Sequence, residues 1–448
     1  MKYEGKRPGF FFRLLVVLSL LICLVSLLYK TDRWQQRVTE DVRTRFNINQ
    51  FSHSPTRIVT TAKRLEDDGE PRSGGLESLE HKNSPRNIEE TTVTAEVQRT
   101  KLILFYTTLY GKEIANDYIN SDWKMCKWKC KLTKNRTDYS GSDAVIFHLY
   151  NQSPEYVGHG YREFIISDLP RRQSTDQKWV LLGREPNAFY YPNQLKHLNN
   201  MFNLTLTFQS DADVSIPYGV YQELPASEMG KVKVSMNDFL TKQRNISWLV
   251  SNCVTSSRRE AYVKKMQQYL KVDEYGKCGG ISTGNQKVSN KFCAVLNDYY
   301  KFYLAFENSD CDDYVTEKFW NSLIVGLIPV VRGRRVDYKR IAPPNSYIHV
   351  DEFDSLETLA KHLDMVASNF TLYSQYHEWR TRFRARLLSA AVVSNWMCAL
   401  CEKVHEKRQQ CVDVYEVFSE DTRCNTFDRM RDRSREHMKD IESYIPLS

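Results

Sequence analysis

Between residues 99 and 400 short apolar runs alternate with polar stretches carrying Pro and Gly. KLILFYTTLY (101–110), DAVIFHLY (143–150) and KWVLLG (178–183) are continuous apolar runs of strand length and read as buried strands. LTLTFQ (204–209) alternates and reads as a strand with one face in the core. A second block begins near 245, where ISWLVSNC (246–253), DYYKFYLAFEN (298–308), LIPVVRG (327–333) and SYIHVDEF (346–353) supply further strands. Helices fall between them. Tyr262, Val263, Met266, Tyr269 and Leu270 share one face at i, i+1, i+4, i+7 and i+8. Phe319, Trp320, Leu323 and Ile324 mark a helix that Asp312 or Asp313 can cap. Leu356, Leu359, Ala360, Leu363 and Val366 mark another, started by Asp354 with Glu357 three residues on. Strand–helix alternation implies α/β structure with a parallel sheet and a ligand at the strand C-terminal ends. Two such blocks in tandem predict two Rossmann-like domains facing a cleft, over 99–240 and 241–400, followed by a tail over 401–448.

The N-terminal pattern is different. Phe10 to Tyr29 is apolar except for Arg13. As a helix this run is about 30 Å long, the thickness of a bilayer core. Lys2, Lys6 and Arg7 precede it, so residues 1–9 are expected in the cytosol and everything after residue 30 in the lumen. The run is longer than the roughly 7–15 residues of a signal-peptide core and no A-x-A site follows, which argues against a cleaved leader. The expectation is a type II signal-anchor over 10–29. Residues 30–98, with DDGEPRSGG at 67–75, hold too little apolar surface to offset the entropy of ordering and are expected to form a stem.

Composition narrows this picture. A hydrophobic fraction of 41% in 448 residues supports a core of two-domain size, and 26 Tyr suit either that core or stacking on sugar rings. The net charge of +8 is spread along the chain. It is too diffuse to argue for a nucleic-acid partner but suits an anionic ligand or a membrane surface. Sequons at Asn135, Asn151, Asn203, Asn245 and Asn369 agree with a lumenal chain, Asn151 being weakened by the proline after Ser153. Of 11 Cys, Cys23 lies in the apolar run; the other ten are an even number, suited to disulfides in that compartment. Cys398-x-x-Cys401 has no second CxxC or His pair at metal spacing, so a disulfide role is expected over zinc.

Candidate chemistry concentrates in YKFYLAFENSDCDDYVTEKFWNSLIVGLIPVVRG (300–333). A strand ends in Glu307-Asn308, and a polar loop leads into a helix with Glu317 and Lys318 in its first turns. A helix N-terminus with a lysine is an anion site suited to a pyrophosphate. Arg259 offers a second cation at the start of an earlier helix. Asp211-Ala212-Asp213 and Asp310-Cys311-Asp312 are Asp-x-Asp patterns of the kind that hold a divalent metal on a nucleotide diphosphate.

The same segment resembles the signature of the α1,3/4-fucosyltransferases, glycosyltransferase family 10. Tyr300 to Ser309 match Y-K-F-Y-L-x-F-E-N-S, Asp313 to Lys318 match D-Y-[IV]-T-E-K, and P-V-V follows. KWVLLGREP (178–186) is similar to K-W-[IV]-x-x-x-x-E-S-P, DADVSIPYG (211–219) to D-S-D-I-x-V-P-Y-G, and WLVSNC (248–253) with Arg259 to W-V-V-S-N followed by an Arg. SYIHVDEFDS (346–355) and the closing CxxC also fit, so the resemblance spans about 100–405. It implies a GT-B fold, a Golgi membrane location, and inverting transfer of L-fucose from GDP-β-L-fucose in α1,3 linkage to GlcNAc of a glycoprotein glycan. By motif position Glu185 is implied as the general base, and Arg259, Asn308, Tyr314, Glu317 and Lys318 as the GDP-fucose set. One departure is that E-S-P becomes Glu185-Pro186-Asn187, which alters the loop after the base. The Asp-x-Asp patterns fall where the family does not use them for metal, so no required metal is expected, while stimulation by Mn²⁺ or Mg²⁺ stays open. Cys253, Cys278, Cys293 and the 311–314 stretch look like invertebrate and core-type members. That favours the innermost GlcNAc of N-glycans over antennal N-acetyllactosamine or LacdiNAc. A rival of another class, an inactive lumenal glycan-binding homologue, is opposed by the joint presence of Glu185, Arg259, Tyr314, Glu317 and Lys318. Cys126 and Cys130 can pair locally, as can Cys398 and Cys401, or the two segments can be cross-linked. In a GT-B architecture the C-terminal segment crosses back to the first domain, and cross-links constrain the unfolded chain far more, by about 5 kcal/mol. The cross-links are therefore favoured.

Overall fold

The computed structural model describes residues 99–109, 113–114, 126–149, 169–186, 192–280, 290–388, 394–407 and 410–425. The expected anchor, the stem and Asn151 lie outside them. Among the described residues no helix is long and apolar enough to cross a membrane.

Two parallel sheets organise the chain. The first contains β1 (Lys101–Phe105), β2 (Cys130–Thr133), β3 (Ala144–His148), β4 (Lys178–Gly183), β5 (Leu204–Thr207) and β6 (Val214–Ser215), in the order β2-β1-β3-β4-β5-β6. The second contains β8 (Arg244–Leu249), β9 (Val272–Tyr275), β10 (Tyr300–Leu304), β11 (Ile328–Val331) and β12 (Ile348–His349), in the order β12-β11-β10-β8-β9. Between them β7 (Gly219–Glu223) pairs antiparallel with β13 (Phe383–Leu387). The continuous apolar runs are explained by burial on both faces: every residue of β3, β4 and β10 is buried. β5 differs from its alternating pattern, since all four residues are buried. Its polar Thr205 is satisfied inside, where both its N–H and its hydroxyl donate to Asp213.

Three helix ends also differ from the sequence reading. The first helix is Arg259–Met266 and stops before Tyr269, which is exposed. The second, Glu317–Val325, has Thr316 as N-cap residue instead of Asp312 or Asp313. Asp312 is held in a two-bond pair with Arg335, and Asp313 sits in left-handed backbone (φ 56°) bonded to Ser210 and Arg340. The third, Leu356–Ser368, is capped one residue later than expected, by Ser355 with Thr358. SYIHVDEF yields only the two residues of β12 before a 3₁₀ turn over Val350–Glu352.

The C-terminal segment returns to the first sheet. The Ser394–His405 helix places Met397, Leu400, Cys401 and Val404 against Ile103, Ile146, Val180 and Leu206. On the other face Val414 and Phe418 join Leu104, Phe147, Trp179 and Leu181. Disulfides Cys126–Cys398 and Cys130–Cys401 fasten this return, as the cross-linked arrangement expects. Cys253–Cys278 and Cys311–Cys424 complete four, leaving Cys293 and Cys411 as thiols, so the ten cysteines do not all pair. Two glycines permit the close approaches. A Cβ on Gly183, at the end of β4, would stand 2.2 Å from the Phe418 ring, and one on Gly219 would stand 2.3 Å from the Trp320 indole.

Candidate active site

Strand order reverses between β8 and β10, since β9 extends the second sheet to one side and β11 and β12 extend it to the other. Parallel sheets bind ligands at the carboxyl ends of the strands flanking such a point. Beyond β10 the chain runs through buried Ala305 and Phe306 to Glu307-Asn308; beyond β8 it turns into the Arg259–Met266 helix. Arg259 and Asn308 are thereby brought together. Arg259 is buried, and its two terminal nitrogens donate to the Phe306 carbonyl (2.7 Å) and the Asn252 carbonyl (3.4 Å). Burial holds its pKa below the usual guanidinium value, opposed by Glu307. Its Nε and the Oδ1 of Asn308 are buried without a hydrogen-bond partner. Buried polar atoms without partners are costly in a native fold and are candidates for a functional role.

Ser257 ties the Arg259 turn to β10, donating from its hydroxyl to the Glu307 carbonyl (2.7 Å) and from its N–H to the Asn308 carbonyl (3.2 Å). Arg332, at the end of β11, donates to the Ser257 carbonyl and lies over the Tyr262 ring.

The helix N-terminus with Lys318 is not an open anion site. Glu307, only 4% exposed, fills it: its carboxylate accepts the Thr316 N–H (2.8 Å), the Thr316 hydroxyl and Lys318 Nζ (2.9 Å). Lys318 also reaches Thr316 Oγ1 (2.7 Å) and Glu317 (3.3 Å). Burial pushes the Lys318 pKa down, but Glu307 and Glu317 outweigh it and the net shift is upward. Burial pushes Glu317 up, and Lys318 with the surrounding donors outweighs that, leaving its carboxyl below the usual range. The sequence reading placed Glu307 at the strand end but gave it no part. A carboxylate closing a continuous buried run was the available signal, because such a group must be paired.

Glu185 follows β4 of the first sheet and is half-buried. Its neighbour Arg184 lies over the Tyr218 ring (4.3 Å), and the Tyr218 hydroxyl donates to the Arg184 carbonyl. Tyr218 is packed in turn against Tyr314, which is buried with Phe208, Cys311 and Cys424 where the two sheets meet. Burial, followed by Tyr218 and then Glu185, raises the Tyr314 pKa well above the usual phenol value. Tyr314 thus enters first as a packing residue of the junction. The junction is stitched by Ser210, whose N–H and hydroxyl donate to Asp313 (2.9 and 2.6 Å), and by Arg423 on Asp211 (2.8 Å). The loop after Glu185, from Asn187 to residue 191, lies outside the described residues.

Both Asp-x-Asp patterns are committed to protein donors. Asp211 holds Arg423, Asp213 holds Thr205, Asp310 accepts from Asn425 and Arg335, and Asp312 pairs with Arg335. Cys130, Cys401 and His405 come within 4.8 Å of one another, but the two sulfurs are bonded together, so they make no ligand set.

Two parallel sheets, with a buried cation at the strand-order reversal of the second, make an α/β architecture of the kind that binds a ligand at its strand ends. The description "Fucosyltransferase, N-terminal" matches residues 98–219, and "Glycosyltransferase family 10 (fucosyltransferase) C-term" matches 239–420. The chain belongs to this family of fucosyltransferases. It is 31% identical over 341 residues to alpha-(1,3)-fucosyltransferase C of Drosophila melanogaster, covering 69% of this chain and 74% of the relative. It is 33% identical over 312 residues to a Homo sapiens 4-galactosyl-N-acetylglucosaminide 3-alpha-L-fucosyltransferase, covering 68% and 79%. It is 31% identical over 282 residues to glycoprotein 3-alpha-L-fucosyltransferase A of Drosophila melanogaster, covering 62% and 51%.

Proposed function

We propose that this fucosyltransferase is a Golgi type II membrane enzyme that moves L-fucose from GDP-β-L-fucose to the 3-hydroxyl of a GlcNAc, with Glu185 as general base. The observation that supports it most is the junction, where Tyr218 bonds the carbonyl preceding Glu185 and packs edge-on against Tyr314 in the loop after β10. The acceptor hydroxyl attacks fucose C1 while the C1–O bond to the diphosphate breaks. Its proton passes to Glu185, GDP leaves, and the β-linked donor becomes an α-linked product. A base held at hydrogen-bond distance contributes about 10²–10⁴-fold. Arg259 offers its Nε to the growing charge on the diphosphate, and Asn308 offers Oδ1 to a donor hydroxyl. Lys318 is charged but already shared with Glu307 and Glu317, so its contribution to phosphate binding is a secondary one. Glu317 suits hydroxyls of ribose or fucose, and Tyr314 is assigned with it to the donor set. No metal is assigned a role, because the Asp-x-Asp carboxylates are engaged by Arg, Thr and Asn.

The acceptor in this reading is the innermost GlcNAc of N-glycans. The similarity to a human enzyme named for 4-galactosyl-N-acetylglucosaminide favours an antennal GlcNAc as second reading. Incubation with GDP-fucose and defined N-glycans decides both points. Fucose on the chitobiose core supports the first reading and fucose on an antenna the second. GDP release that no acceptor stimulates overturns the transferase assignment.

A further inference from the structure

The loop after β8 divides into an exposed half and a bonded half. Residues 255–258 are stitched down. Thr255 donates from its N–H and its hydroxyl to Glu260 (3.0 and 2.8 Å). The Ser256 hydroxyl shares a hydrogen bond with the Ser309 hydroxyl (3.1 Å). Ser257 donates to the Glu307 carbonyl (2.7 Å), and its own carbonyl accepts from Arg332 (2.7 Å). Ser251, Asn252, Cys253 and Val254 are instead all exposed, Val254 to 85%. The Asn252 carbonyl accepts a long bond from Arg259 (3.4 Å), and the side-chain tie of the stretch is the disulfide Cys253–Cys278. We infer that Cys253 and Cys278 are positioning residues for the donor: their disulfide holds residues 251–254 in the shape that receives the nucleotide of GDP-fucose. This rests on the donor site proposed above.

The partner cysteine is delivered by the neighbouring strand. β9 ends at Tyr275, and Gly276 turns the chain in left-handed backbone (φ 96°) directly against the end of β8. A Cβ at Gly276 would stand 2.5 Å from the Val250 carbonyl oxygen. Val250 donates to the Tyr275 carbonyl (2.8 Å) and accepts the Cys278 N–H (3.2 Å). These bonds fix Cys278 on the sheet, and the disulfide carries that fixed frame across to Cys253. The held stretch lies at the carboxyl end of β8, on one flank of the strand-order reversal, and leads through Ser257 into Arg259. A ligand that must itself order an exposed stretch loses affinity to that ordering, and a covalent tie made beforehand removes the loss. This disulfide is also the most open of the four. Cys253 is exposed and Cys278 half-buried, whereas each of the other three has at least one buried cysteine. Access governs attack by an external thiol, so this bond is the first to be reduced.

The test is calorimetric titration of the detergent-solubilised full chain with GDP, before and after limited treatment with dithiothreitol. The dithiol attacks one sulfur, the protein S–S bond breaks, and ring closure of the reagent releases two protein thiols, with two electrons and two protons passing from reagent to protein. Alkylation of a parallel sample and peptide mapping identify the thiols that have formed. The expected result is that Cys253 and Cys278 join the thiols of Cys293 and Cys411 first. In that state GDP affinity falls about tenfold or more, and reoxidation restores it. Cys253→Ser with Cys278→Ser should show the same loss, read in turnover as a raised KM for GDP-fucose with a much smaller change in kcat. Cys126→Ser with Cys398→Ser removes a disulfide that ties the C-terminal helix to the first sheet and should leave GDP affinity unchanged, which separates positioning from a general loss of stability. Unchanged GDP affinity in the parent chain reduced at Cys253 and Cys278, or in the folded double variant, overturns the inference, as does an equal loss in the variant lacking Cys126 and Cys398. A parent chain that does not bind GDP overturns the donor assignment, and the inference with it.

Discussion

At the scale of single residues, the pairing of Lys318 with buried Glu307 changes what a substitution reports. Removing Lys318 was the obvious test of an anion site, yet it also strands the Glu307 carboxylate. Breaking a buried pair from one side costs about 3–5 kcal/mol. Lys318→Ala should therefore lower the melting temperature of the ligand-free protein, and Glu307→Gln added to it should recover much of the loss without restoring GDP affinity. An unchanged melting temperature in Lys318→Ala would mean the pair carries no stability. His377 gives a second residue-scale expectation. It is buried against Tyr373, its Nε2 has no partner, and burial followed by Arg380 and Lys242 lowers its pKa to about 3. Between the ordinary value of 6.5 and about 3 the unfolded chain binds a proton that the folded chain refuses. Stability therefore rises with pH across that window and is lost as pH falls through it. Thermal melts from pH 7 to pH 4 should show a shallower acid loss in His377→Gln than in the parent chain; equal slopes would remove His377 from the account. The family was legible in the sequence because the order of its motifs along the chain was enough to name it. Glu307 was not, because its role depends on a hydrogen-bond set that only the fold assembles.

At the scale of elements, the strands were read well where burial on both faces makes the run continuous, as in KWVLLG, and less well at β5 and β12. Periodicity cannot show that Thr205 is satisfied by an aspartate eight residues on, nor that β12 is cut short by a 3₁₀ turn. Helix starts were misread because Asp312 and Asp313, good caps by type, are drawn away by Arg335, Ser210 and Arg340. The clamp between β2 and the Ser394–His405 helix makes a quantitative expectation. With Cys130–Cys401 intact, Cys126–Cys398 closes only a loop of roughly nine residues, worth about 2–3 kcal/mol in the chain-entropy model. Cys126→Ser should cost that amount in denaturant unfolding. Cys126→Ser with Cys130→Ser releases a loop of about 270 residues and should cost about 5 kcal/mol more. Equal losses in the two variants would show that the bonds act locally and not as ties across the chain.

At the scale of the whole molecule, a C-terminal segment packed on the first sheet is also tied to the loop that follows β10 of the second. It covers both faces of the first sheet, passes Phe418 over Gly183 beside the proposed base, and reaches Cys424, bonded to Cys311 in the loop after β10. The two-sheet layout was legible because alternating strands and helices permit few topologies. The stitching of the junction by Ser210, Asp313, Asp211 and Arg423 was not, since the partners lie about 100 or more residues apart. In the proposed mechanism this stitching is what fixes Glu185, after β4, relative to the second sheet. Steady-state turnover of Glu185→Gln with GDP-fucose and a GlcNAc acceptor, measured beside its GDP affinity, tests this most directly. The account predicts a kcat lower by at least about 10²-fold with GDP affinity unchanged. Near-normal turnover, or a loss confined to GDP binding, would contradict it.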